Sequence, residues 1–164
     1  MITKEQLAES MIRECDVCVH LHSKLQADAA EYRPSPGQRS TLDLLRYLSV
    51  VGIAATRCLH ASDWKLYGEY SERSKEMGLD GFAAAMERQK QELTEFFDSV
   101  TEETLEQQEA DLPGGGKVPL GLAILNGPAK WLTAYKLQLF LYAKACGATE
   151  LGTTNAWAGA DAQS

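Results

Sequence analysis

Proline and glycine punctuation divides this chain into long stretches whose apolar residues recur at the helical period, and that alternation constrains the fold more than any other feature. The first stretch opens at Thr3, a good N-cap whose hydroxyl can take a free N–H while Gln6 reaches back in a capping box. It is predicted to run to about Leu25 with Leu7, Met11, Cys18, His22 and Leu25 on its apolar face. Tyr32 to Gly37 then breaks the chain, because Pro34 and Pro36 restrict the residues before them and Gly37 permits a turn. Ser40 caps a second helix with Asp43 near the positive end of its dipole, and Leu44, Leu45, Leu48, Val51, Ala55, Cys58 and Leu59 form one stripe ending near Ala61. Ser62 to Gly81 is polar apart from Trp64, Tyr67 and Tyr70, too long for a hairpin loop, and reads as a crossover with room for a short helix.

A third long helix follows, carrying Phe82, Ala85, Met86, Gln89, Leu93, Phe96 and Phe97 and leaving at Ser99 or Thr101. The run Leu112 to Pro119 holds three glycines and two prolines, which exclude regular helix and predict an exposed turn. The last helix spans about Leu120 to Cys146, kinked or restarted at Pro128 and ended by Gly147. Strand signals are nearly absent and no internal repeat appears. The expected fold is therefore all-α: a four-helix bundle with a long crossover between helices 2 and 3, over residues 1–147. Residues 148–164 form a small, polar tail in which Trp157 is expected to dock on the bundle or on a partner subunit.

Composition narrows the function classes. A length of 164 residues with 45% hydrophobic content suits one compact domain. Lysine and arginine total 16 against 23 acids, a net charge of −7, and no basic run longer than a dipeptide exists to follow a phosphate backbone. Nucleic acid is not an expected partner. No segment approaches the roughly 20 apolar residues of a membrane span, and Thr3, Lys4, Glu5 and Gln6 do not begin a signal peptide, so a cytoplasmic protein with no membrane partner is the expectation.

The titratable and thiol residues form no recognised catalytic pattern. Cys15, Cys18, Cys58 and Cys146 lie within helical patterns and read as reduced, small core residues. Cys18 and His22 are four apart on one helix face and make a two-ligand metal pair on paper, but Cys15 lies about 10 Å of helix rise from His22 and no second ligand cluster stands elsewhere. A hydrogen-bonded core histidine beside small thiols is the better reading. His20, about 200° away from His22 around the helix, is expected to face solvent, and His60 to complement the C-terminal dipole of the second helix. Arg39, Arg46 and Arg57 could hold an anion, although arginines on amphipathic helices are more often solvated or paired with acids such as Asp43. No phosphate-binding loop, nucleophile elbow or Ser-His-Asp arrangement is present.

Two segments carry a family resemblance. Gly37-Gln38-Arg39-Ser40-Thr41-Leu42-Asp43-Leu44-Leu45-Arg46-Tyr47-Leu48 resembles the start of the second helix in the DinB/YfiT superfamily, where a Gly-x-Trp-Ser-like run leads to Leu-x-His-Leu. Trp131-Leu132-Thr133-Ala134-Tyr135-Lys136-Leu137-Gln138 resembles that superfamily's closing His-x-x-x-His-Arg-Gly-Gln motif. The resemblance covers essentially the whole chain in helix order and spacing. It implies the four-helix fold, a dimer, and a three-histidine metal centre serving thiol-dependent transferases and isomerases. Tyr47, Trp131 and Tyr135 stand where the histidines would be, while Gln138 and a basic residue, Lys136, are kept. Phenols and an indole are poor substitutes for imidazole on zinc or nickel, so no metal and no other cofactor is expected.

Trp131, Tyr135, Gln138 and Tyr142 fall at i, i+4, i+7 and i+11 and share a face that the resemblance turns toward Tyr47. The preferred reading is a pocket between helices 2 and 4 that binds a small apolar or aromatic molecule through Tyr47, Trp131, Tyr135 and Gln138. The competing reading has the same rings filling the volume a metal would occupy. An alternative function is a metal- or thiol-dependent transferase using substituted ligands such as Cys18 and His22. Another is a non-catalytic homodimer presenting a large apolar patch on an outer helix face.

Overall fold

In the computed structural model, which describes residues 2–112 and 114–162, the chain is all-α apart from one small hairpin. The elements are α1 (Lys4–His22), α2 (Thr41–Ala61), α3 (Leu66–Ser74), α4 (Phe82–Ser99), α5 (Glu102–Gln107), β1 (Glu109–Asp111), β2 (Lys117–Pro119), α6 (Leu120–Ile124), a π-helical turn (Leu125–Ala129), α7 (Lys130–Ala145) and α8 (Thr153–Ala158). Met1, Pro113 of the predicted turn, and Gln163 and Ser164 of the tail lie outside the described residues.

Local chemistry sets the helix starts. Thr3 and Gln6 form the capping box at the head of α1, and the Ser40 Oγ accepts the Asp43 N–H at the head of α2. α1 closes at His22 rather than near Leu25, because the chain enters turns held by Lys24 N–H to Leu21 O and Leu25 N–H to His22 O. The four long segments pack in a ring: α1 touches α4 and α7, and α2 touches the same two, so α1 and α2 lie on one diagonal. α3 occupies the crossover and lies along the outer side of α2. Every member of the α2 stripe, Leu44 through Leu59, is buried.

A buried amide pins the centre. Gln89 of α4 has no exposure; its Oε1 accepts the Gly52 N–H at 2.9 Å and the Ile53 N–H at 3.3 Å, while its Nε2 donates to the Leu48 carbonyl at 2.9 Å. Gly52 makes this approach possible, since a Cβ there would stand 2.9 Å from Leu132 Cδ1 and 3.1 Å from Gln89 Oε1.

The last long segment is not one helix. Pro128 offers no N–H, and the backbone widens into a π turn around it before α7 resumes at Lys130. Four short elements went unforeseen by periodicity. α5 is capped by Thr101, whose Oγ1 accepts the Thr104 N–H. β1 and β2 pair antiparallel with Ala110 opposite Val118, closed by Gly114, Gly115 and Gly116 at φ near +100°. Three-residue strands are too short to show alternation in a sequence.

α8 and the residues after it lie against α1. Asn155 Nδ2 contacts His20 Nε2 at 3.0 Å and donates to Asp161 Oδ1 at 2.9 Å, and Lys24 Nζ meets Asp161 Oδ2 at 2.7 Å. His20 is therefore half-buried beneath the tail instead of facing solvent, with its side chain 16% exposed. Close by, Lys136 of α7 is 1% exposed and pairs with Glu14 of α1 at 2.8 Å. Its Nζ lies 4.6 Å from the ring centroid of Trp157, which remains 54% exposed on the outer side.

Candidate ligand site

Tyr47 leaves α2 two turns after the Ser40 cap, and Tyr135 leaves α7 one turn after Trp131. The antiparallel course of the two helices brings the phenols together: the rings of Tyr47 and Tyr135 stand 4.7 Å apart at 63°, an edge-on contact. Trp131 joins through the crossover, its ring 6.4 Å from Trp64, which is in turn 6.5 Å from Tyr67. The three positions at which the resemblance implies metal ligands thus fall in two aromatic groups, Tyr47 with Tyr135 and Trp131 with Trp64 and Tyr67, which meet through the side chains of Tyr47 and Tyr67.

Gln138 takes a different part. Its Nε2 donates to the Tyr142 hydroxyl at 2.6 Å, and that hydroxyl donates to the Arg39 carbonyl at 3.1 Å. Tyr142 is buried, and Tyr32 packs edge-on against it at 5.3 Å. The amide therefore fixes the chain entering α2 instead of lining an opening. Arg39, held at its backbone in this way, lays its guanidinium carbon 4.3 Å from the Tyr47 centroid and 5.3 Å from that of Tyr135.

An open cleft of about 440 Å³ lies beside the cluster, between α2 and the crossover helix α3. Arg39, Arg46, Tyr47, Tyr67, Glu72 and Lys75 are among the residues that line it. Tyr47 belongs to both cleft and cluster; Trp131, Tyr135 and Gln138 are not in the lining of this cleft. Trp64 and Tyr67 were not picked out as site residues from sequence, and Arg39 was noted only as one of three arginines that could hold an anion. The available signal was that Trp64 and Tyr67 are large rings in an otherwise polar crossover.

The phenols of Tyr47 and Tyr67 are neutral at ordinary pH. Burial drives Tyr47 well above the usual phenol range, with the nearby Tyr67 and Tyr135 phenols adding to the shift, and burial pushes Tyr67 up to about 12. Protonated phenols and a donor-only indole do not fit a divalent ion as ligands, so the donor set departs from the metal centre that the resemblance implies. The weaker pair fares no better by geometry: Cys18 is fully buried and its thiol is held well above the ordinary range by burial, and His22 Nε2 lies 2.8 Å from the Leu79 carbonyl with its ring 5.1 Å from Phe82. Among the described residues, no group of three or more His, Cys, Asp or Glu side chains is placed to hold a metal. No described helix is long and apolar enough to cross a membrane.

No protein-family model and no curated protein matches the sequence. Comparison of folds is more informative. The chain is similar to the crystal structure of a DinB-like protein, YjoA, from Bacillus subtilis, with a TM-score of 0.68 and 18% sequence identity over 90% of this chain and 96% of that one. At that identity the likeness establishes the DinB-like fold.

Proposed function

We propose that this DinB-like bundle binds a small apolar or aromatic molecule against Tyr47, in the cleft between α2 and α3 beside the aromatic cluster that holds Trp131 and Tyr135, without the metal of the wider family. The observation that carries this reading is the double position of Tyr47, in edge-on contact with Tyr135 and lining an open cleft. A pocket of about 440 Å³ lies within the usual range for small-molecule sites, and its neutral phenols can orient a ligand by hydrogen bonds. The test is a two-dimensional NMR titration with uncharged aromatic fragments, followed at the indole N–H groups of Trp64 and Trp131. Fragments should shift these resonances in the native protein and much less in Tyr47→Leu; a spectrum that no fragment moves rejects the reading. Elemental analysis after incubation with zinc and with nickel is expected to find no stoichiometric metal. One retained ion per chain would instead favour the transferase alternative.

A homodimer is supported by a separate observation. Ala134, Leu137, Leu141 and Ala145 lie exposed along the outer side of α7, with Leu137 43% and Leu141 55% exposed. An apolar stripe of this kind on a polar surface suits a second copy of the chain. Sedimentation equilibrium should show a dimer that Leu141→Glu converts to monomer.

A further inference from the structure

We propose that the ligand of the Tyr47 cleft carries a single carboxylate and that Arg39 is the residue that receives it. The inference rests on the pocket reading above and adds a chemical class to it. Charge accounting around the cleft leads there. Arg46 pairs with Asp43 at 3.4 Å and also donates through Nε to the Met77 carbonyl; Lys75 pairs with Glu72 at 3.6 Å. Asp43, Arg46, Glu72 and Lys75 all line the cleft, so these four charges offset one another.

Arg39 is left over. Among the described residues it makes no ion pair and its guanidinium donates no hydrogen bond; it rests on the phenol rings of Tyr47 and Tyr135. A guanidinium that spends its face on aromatic rings keeps its in-plane N–H edge for a planar, two-oxygen acceptor. Its position is not casual, because the backbone carbonyl of Arg39 is the terminus of the Gln138–Tyr142 hydrogen-bond relay. In a chain of net charge −7, a cation without an acid at the mouth of a cleft is the local exception.

The same accounting selects a carboxylate over a phosphate. Among the described residues that line the cleft only one cation is uncommitted, and the first turn of α2 already holds the acidic Asp43, which also lines the cleft and opposes a dianion. Tyr47, Tyr67 and Val50 supply walls for a flat apolar body. A one- or two-ring aryl carboxylate satisfies both halves of the site.

The test uses a matched pair, indole-3-acetate and the uncharged indole-3-acetamide, titrated calorimetrically into the full chain. The acid should bind at least tenfold more tightly than the amide, and the preference should shrink as salt rises. In Arg39→Gln the preference of acid over amide should vanish. Equal affinity of acid and amide in the native protein, or a preference that survives in Arg39→Gln, overturns the assignment of Arg39 and leaves the pocket standing. If neither probe binds at millimolar concentration, the pocket reading falls together with this one. A thermal melt of Arg39→Gln that matches the native protein shows that any loss arises at the site.

Discussion

Among the cations that lie against aromatic rings in this molecule, Lys136 and Arg39 are held in opposite ways. Lys136 sits in the seam between α1 and α7, 1% exposed, with Glu14 at 2.8 Å on one side and the Trp157 ring at 4.6 Å on the other. Arg39 sits at the edge of the bundle, exposed, over Tyr47 and Tyr135, with no acid paired to it among the described residues. In the first case the protein supplies both the counter-charge and the cover, so the pair is structural. In the second it supplies only the platform. The difference teaches that the ring identifies neither role; the location of the compensating negative charge does.

The largest expected effect falls on the closed side. Removing one member of a buried pair strands the other, so Lys136→Met should destabilise by about 3–5 kcal/mol in urea unfolding, whereas Glu14→Leu with Lys136→Met should recover most of that loss. If the double variant is as weak as the single one, the pair is not what holds α1 to α7. Next comes the cover: Trp157→Leu should cost about 1–2 kcal/mol, since a desolvated cation over an indole is worth that much and the ring is half exposed. Arg39→Gln is expected to change folding stability by less than about 1 kcal/mol, in keeping with an exposed cation–ring contact. A larger loss would show that Arg39 is structural after all and would collapse the comparison.

The smallest effect concerns the tail that carries Trp157. Hydrogen bonding to Lys24 holds the Asp161 carboxyl below the usual carboxylate range, with Asn155 and the His20 charge acting in the same direction. A lowered native pKa means that this contribution is present above the ordinary carboxylate value and is lost as pH falls through the lower, native one. Trp157 fluorescence should therefore begin to report loosening of α8 only in the strongly acidic range, and Asp161→Asn should remove that step.

Some of this was legible in the sequence for reasons that are local. The Thr3–Gln6 box and the Ser40–Asp43 cap need residues three apart, and the α2 stripe needs only its own periodicity. The approach of Tyr47 to Tyr135, far apart in sequence, was legible because the resemblance fixed which helix faces meet, and the structure brings their rings into contact. The cleft beside α3 was not legible, since the position of a short polar crossover helix depends on what it packs against. Nor was the burial of His20: nothing within α1 signals that Asn155 and Asp161 return to cover it. Arg39 reads as an ordinary surface arginine until the Gln138–Tyr142 relay and the two phenols are seen around it.

The π turn at Leu125–Ala129 carries one more residue than an α-helical turn would, so helical wheels drawn for α6 and α7 cannot share a phase. Each α-helical residue turns the chain by about 100°. Deleting Asn126 would therefore ask α7 to rotate by about that angle against α6, carrying Trp131 and Tyr135 away from Tyr47 or else pulling Leu132 and Leu139 out of the core. A single-codon insertion or deletion at this point would be enough, in evolution or in the laboratory, to exchange the set of side chains that α7 presents to α2 without altering any of them.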